Sequence, residues 1–248
     1  MTDNNRATAK LTQIFPKEIC DIDIYQAYKI EDEFHLRINM VSSLDGAISI
    51  DGRAKGLSSA VDQSVFHVLR SLADIILVGA GTMRDEEYKP ARMSDEEKQL
   101  RVSNDQQEIP PIAIVTRSGK IDLSSKFFTE AVSKPIIFTT ELGSRVLGNT
   151  DLADVYICGE SKVDLKEVID QLHKLVYRHI LCEGGPSLNA DMLEQNLVDE
   201  LCLTTNPLIL QGINKTIFNG PLLEDPAQFS YKKIFINEGQ LFSILKKS

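Results

Sequence analysis

The sequence predicts an α/β fold: a mostly parallel central sheet with helices on both faces and an antiparallel hairpin at the C-terminal edge. Two observations carry this. Through the middle of the 248-residue chain, short apolar runs alternate with stretches of helical period, the pattern of a buried parallel sheet and its crossover helices. The end of the chain is rich in strand-like runs, closing on "YKKIFINEGQLFSIL", where "NEG" reads as a hairpin connection.

The elements follow in order. Residues 1 to about 30 read as an N-terminal arm, and residues 31–248 as a single domain with no linker. "FHLRINMVSS" (34–43) is a strand with apolar residues on both faces, and Asp45-Gly46 is a turn. Ser58 or Ser59 caps a helix whose apolar stripe is Val61, Val65, Val68, Leu69 and Leu72. "DIILVGAGT" (74–82) is a buried strand running into glycines. The segment from Arg84 to Pro111 is charged and poor in apolar residues, so a solvated insertion with a helical turn or two is expected. "IAIVTRSG" (112–119), "PIIFTT" (135–140) and "ADVYICG" (153–159) are further strands. Asp164 and Glu167 have capping-box spacing ahead of Leu165, Val168, Ile169, Leu172 and Val176. "HILCEGG" (179–185) is a strand, and Pro186 opens a helix with Leu188, Met192 and Leu193 on its inner face.

Bulk properties exclude several classes. A net charge of −9 argues against a general nucleic-acid binder. No apolar run approaches the roughly 20 residues that cross a bilayer, and the N-terminus has no apolar signal core, so a cytoplasmic protein is expected. The four cysteines lack CxxC spacing and the four histidines form no cluster, so no metal is expected.

Three strand ends carry small or glycine-rich sequences: "GAGT" (79–82), "TRSG" (116–119) and "EGGPSL" (183–188). In an open parallel sheet, ligands bind at the carboxyl ends of strands. Gly184, Gly185, Ser187 and Leu188 are placed to hold a pyrophosphate on main-chain donors at a helix N-terminus, or else the paired glycines only make a tight turn. "GAGTMR" fails the GxGxxG fingerprint because Arg84 stands where the third glycine would be. Thr82 donates to a ligand or caps a turn. Arg117 beside Ser118 suits a 2′-phosphate, which would favour NADPH over NADH, or is an exposed turn pair. Arg70 stabilises the end of its helix or holds a substrate phosphate. Asp45 is a turn residue or a site residue. Glu183, a carboxylate at the end of an apolar strand, needs partners that a ligand's donors would supply.

In this order and spacing, "SLDGAIS", "LSSAVDQSVFHVLRSLADIILVGAGTMRDEEY", "IAIVTRSG", "ILCEGGPSLNADMLEQNLVDEL" and "NPLILQG" resemble the C-terminal reductase domain of bacterial riboflavin biosynthesis, the RibD C-terminal family. The resemblance extends from about residue 35 to the C-terminus. It implies a dihydrofolate-reductase-like three-layer fold. It also implies NADPH-dependent reduction of the ribose of 5-amino-6-(5-phosphoribosylamino)uracil to a ribitol chain, and a homodimer. It places NADPH against Thr82, Glu86, Ser118 and the run Gly185, Pro186, Ser187 and Leu188. It matches Arg70 and Glu183 to substrate-contacting positions, sets Asp45 beside the reaction centre, and puts Arg92 near a second phosphate-binding arginine. Departures lie on the substrate side: Ala47 replaces the usual basic residue after Asp-Gly, the chain has no tryptophan, and "RDEEYKPAR" replaces "DDPxLTxR". Direct hydride transfer needs no nucleophile, and the protein's task is position and field. Asp45 or Glu183 would orient the electrophile or relay a proton.

Overall fold

Every apolar run read as a strand forms one in the computed structural model, which describes residues 10–30, 33–212 and 214–248. The chain opens with β1 (Lys10–Phe15), β2 (Ile19–Asp23) and α1 (Ile24–Tyr28). Then come β3 (His35–Ser43), α2 (Ala60–Leu72), β4 (Ile75–Gly79), α3 (Ala80–Asp85) and α4 (Asp95–Ser103). The middle holds β5 (Ile112–Thr116), α5 (Lys126–Thr129), β6 (Ile136–Thr139), α6 (Glu141–Leu147) and β7 (Asp154–Ile157). The last part is α7 (Leu165–Lys174), β8 (His179–Cys182), α8 (Pro186–Glu194), β9 (Glu200–Asn206), β10 (Phe229–Asn237) and β11 (Gln240–Lys247).

The strands form one sheet in the order β2-β1-β10-β11-β9-β3-β8-β4-β5-β6-β7. From β9 to β7 every pairing is parallel, and from β9 outward through β11, β10, β1 and β2 every pairing is antiparallel. One face packs α1, α2 and α5 through Tyr28, Val65, Leu69 and Phe127. The other packs α7 and α8 through Val168, Leu172, Leu188 and Met192. Because β3, β8, β4 and β5 run parallel, their carboxyl ends converge on one edge of the molecule, where the site lies.

Four expectations change. Residues 10–28 of the expected arm are two strands and a helix, with Leu11, Ala27 and Tyr28 buried, while residues 1–9 lie outside the described residues. The C-terminal hairpin is present, and β1 pairs with its outer strand β10, so the N-terminal strands hold the sheet edge. Within the charged insertion, Ser94 and Glu97 close a capping box that starts α4. From that helix the buried Arg101 donates to the carbonyls of Ser71 and Ala73 at 2.9 and 2.6 Å, satisfying main-chain groups around the end of α2. Farther along, α7 stops at Lys174, so Val176 falls beyond it and is exposed rather than on the apolar side.

Candidate functional site

Two of the converging strand ends touch directly. Gly79 donates to the carbonyl of Gly184 at 2.7 Å, joining the end of β4 to the turn after β8. Next to that bond, a Cβ built on Gly185 would lie 2.3 Å from the Thr82 hydroxyl. The protein's own threonine therefore accounts for the second glycine. Gly184 has φ of +84°, a backbone region in which an L side chain is strained, which accounts for the first. The sequence raised the possibility of a ligand pressing on both; the geometry sets Thr82 against Gly185 and Asn189 near Gly184 instead. The result is a continuous polar lip formed by the starts of α3 and α8.

Pro186 at the first position of α8 lacks an N–H, and the helix's hydrogen bonding begins with Asn189 N–H to Gly185 C=O at 2.9 Å. Helical geometry leaves the first-turn amides of Ser187 and Leu188 without intrahelical acceptors. Ser187 is exposed, whereas Leu188 is buried in the core and offers only its main chain. Further along the same edge, Arg117 and Ser118 are exposed after β5. Gly119 there has a packing role, since its Cβ would stand 1.9 Å from the Gly143 carbonyl oxygen.

On the α2 side of the sheet, Arg70 and Glu183 form a buried fork-to-fork pair, Nε to Oε1 and Nη2 to Oε2, both at 2.7 Å. The guanidinium lies 4.2 Å from the Phe66 ring centroid and 5.2 Å from that of Tyr88. Glu183's partner is thus Arg70, where the sequence pointed to a ligand's donors. Arg70 also lines a cavity of about 1570 Å³ bounded by α2, α3 and α4, together with Tyr88, Arg92 and Lys120. That cavity lies beside the Thr82–Gly185 lip, and neither Thr82 nor residues 183–188 line it. Arg92 is exposed on its rim, 3.9 Å from Glu130.

Asp45 is exposed and committed to the chain. Its carboxylate accepts from the Ser43 hydroxyl at 2.5 Å and from the Gln211 amide at 2.7 Å, and these bonds hold it below the usual carboxylate range. Its visible task is to tie the turn after β3 to the loop after β9. Glu86 ends α3 and accepts the Ala54 amide at 2.9 Å, fixing the β3–α2 loop over the start of the site. The buried cysteines offer no nucleophile: burial pushes the Cys182 thiol up to about 12 and that of Cys158 to about 11. Among the described residues, no group of three or more His, Cys, Asp or Glu is arranged to hold a metal, and no helix is long and apolar enough to cross a membrane.

Sequence reasoning missed Phe66 and Tyr88, whose rings lie against Arg70, and Asp62, buried in the first turn of α2. Phe66 was within reach, because positions 62, 66 and 70 recur at helical spacing. Tyr88 was not, since it lies in a stretch without periodicity.

This is the architecture of the pyrimidine reductases. A pyrimidine reductase-like protein from Corynebacterium diphtheriae superposes with a TM-score of 0.79 at 24% identity, over 92% of this chain and 99% of that one. The riboflavin biosynthesis reductase of Saccharomyces cerevisiae gives 0.66 at 18% identity, over 90% and 95%. The chain belongs to the RibD C-terminal domain family, whose model matches residues 34–235, and it is an oxidoreductase. Among curated relatives, the 2,5-diamino-6-ribosylamino-4(3H)-pyrimidinone 5′-phosphate reductase of Archaeoglobus fulgidus is 26% identical over 71% of this chain and 81% of its own length. The riboflavin biosynthesis protein RibD of Escherichia coli is 25% identical over 81% of this chain but only 56% of its own.

Proposed function

We propose that the chain is an NADPH-dependent reductase of a ribosylaminopyrimidine 5′-phosphate in riboflavin biosynthesis, converting the ribosyl group to a ribityl chain. The observation that carries this is the lip where Thr82 meets Gly185, in a chain of the RibD C-terminal domain family. Its donor set fits a dinucleotide: the first-turn amides of α8 and the hydroxyls of Thr82 and Ser187 suit a diphosphate. No Cβ contact is found within 4 Å of Gly81, so the main chain at the start of α3 is open to close approach. Arg117 and Ser118, both exposed at the neighbouring strand end, suit a 2′-phosphate. When bound, the cofactor supplies the hydride.

The chain's own residues bind and orient. Arg70, clamped by Glu183 and backed by two aromatic rings, keeps a fixed cation at the wall of the substrate cleft, and Arg92 adds an exposed one at the rim. In this reading Asp45 and Glu183 serve the ribosyl carbon by positioning, Glu183 holding Arg70 in register and Asp45 holding the loop after β9. A cytoplasmic homodimer accompanies the reading: Ile14, Ile236 and Leu241 are partly exposed on the neighbouring antiparallel strands β1, β10 and β11, an apolar surface suited to a second copy. Light scattering tests the dimer.

Fluorescence titration with NADPH and NADH tests the cofactor. Tighter binding of NADPH, with the preference lost in Arg117→Ala, is expected. Equal affinity for the two nucleotides in the wild type would overturn the 2′-phosphate assignment.

A further inference from the structure

The Tyr88 hydroxyl is a group that the reductase chemistry so far leaves without a task. Tyr88 follows α3 in the segment that departs from the "DDPxLTxR" pattern. The main chain there is pinned: the Tyr88 amide donates to the Met83 carbonyl at 3.1 Å, and the Glu86 carboxylate accepts the Ala54 amide at 2.9 Å. The side chain lines the cavity of about 1570 Å³, with its ring centroid 5.2 Å from the Arg70 guanidinium. Its hydroxyl is buried and has no hydrogen-bond partner among the described residues. A buried donor without an acceptor costs stability, and a phenylalanine would fill the same space without that cost.

What stands beside the hydroxyl says which acceptor suits it. The fork with Glu183 takes Arg70 Nε and Nη2, so the Nη1 edge is left for another group. The same fork balances the guanidinium with a carboxylate. A phosphate monoester that met Arg70 alone would face a pair of no net charge, and an anion so placed needs further donors. Arg92 on the rim is shared with Glu130, 3.9 Å away. The Tyr88 hydroxyl is a neutral donor on a ring already packed against Arg70. Any acceptor it takes on the cavity side also feels the guanidinium, which favours an anion.

We propose that the Tyr88 hydroxyl donates to the substrate's 5′-phosphate alongside Arg70, and so sets the preference for the phosphorylated ribosyl compound over its dephosphorylated form. This rests on the reductase reading and adds a specificity-determining residue to it. The ring tilts on Arg70 as the phosphate enters and carries the hydroxyl from the wall to the ligand, a movement that a half-buried side chain allows. The unpaired hydroxyl of the free enzyme is then a standing cost that the bound phosphate relieves. A site built to hydrogen-bond a substrate group discriminates strongly against the analogue that lacks it.

The test compares the wild type with Tyr88→Phe, which keeps the ring and removes only the hydroxyl. Steady-state kinetics are read on the ribosylaminopyrimidine 5′-phosphate and on its dephosphorylated form, with thermal unfolding of both free enzymes. Tyr88→Phe should raise KM for the phosphorylated compound about 10- to 100-fold, the size expected for a hydrogen bond to a charged group, with kcat little changed. On the dephosphorylated compound kcat/KM should be the same in both enzymes, and the free variant should melt at or above the wild-type temperature. An unchanged KM, or an equal loss on both compounds, overturns the assignment and leaves the reductase reading standing. So does a variant that melts lower or fails to fold, because the hydroxyl would then have its partner within the protein. A wild type that turns over neither compound removes the reductase reading and this proposal together.

Discussion

Arg70 and Glu183 meet across the cleft wall in a paired fork, two contacts of 2.7 Å between side chains 10% and 3% exposed. They come from elements 113 residues apart, the end of α2 and the end of β8. The pair fixes the helix to the strand at the point where the chemistry is proposed to occur. Removing one partner strands a buried charge, so Arg70→Ala and Glu183→Ala should each lower unfolding free energy by about 3–5 kcal/mol. Chemical denaturation of the singles and of Arg70→Met/Glu183→Leu measures it. The double variant should lose less than the sum, and strict additivity would show that the pair is not coupled.

The Thr82–Gly185 contact gives a separable test. Gly185→Ala places a methyl 2.3 Å from the Thr82 hydroxyl, and forcing an added carbon into a packed site typically costs about 1–3 kcal/mol. Thr82→Ala removes the obstructing oxygen. The double variant should therefore recover most of the melting temperature lost by Gly185→Ala alone. No recovery would mean that something other than Thr82 demands the glycine.

Much of this was legible in the sequence, for identifiable reasons. The parallel strands announced themselves because both faces of each are covered, so their runs are apolar throughout. The lip was visible as glycines at strand ends, but not the reason for the second glycine, because Thr82 is remote in sequence and reaches Gly185 only through the β4–β8 pairing. Arg70 and Glu183 were each singled out, yet their mutual bond was not, since a long-range ion pair leaves no periodicity. β1 and β2 were missed because they are short and carry polar residues between the apolar ones, and the helical turn or two expected in the charged insertion is the nine-residue α4. Arg101, the residue that anchors α4, looks like any other member of a charged run.

A third glycine behaves differently. Gly119 has φ of +64° and its Cβ would stand 1.9 Å from a main-chain oxygen, that of Gly143. No side-chain truncation relieves such a clash. Gly119→Ala should lower the melting temperature more than Gly185→Ala does, and a second substitution at Thr140 or Thr139 should not restore it. Thermal unfolding of the three variants checks the order.

Acid stability should depend on Glu200, far from the site. It is 1% exposed, with Arg37 Nη2 at 2.5 Å. Burial alone would raise its pKa, but the bond from His35 and the charges of Arg37 and Lys232 bring it from the ordinary 4.5 down to about 2. A carboxylate depressed in the folded state contributes fully above its unfolded pKa and loses that contribution as pH falls through the folded value. Glu200→Gln should thus destabilise the protein at neutral pH and flatten the fall in stability between about pH 4.5 and 2. An unchanged acid limb in urea titrations would contradict the assignment.

The central claim is reduction of a ribosylaminopyrimidine 5′-phosphate at the expense of NADPH. Its most direct test is NADPH oxidation by the purified chain with 2,5-diamino-6-ribosylamino-4(3H)-pyrimidinone 5′-phosphate, with the product identified by mass spectrometry. The account predicts one ribityl product for each NADPH consumed. No consumption above the enzyme-free rate, with this compound and with its aminouracil counterpart, would contradict it.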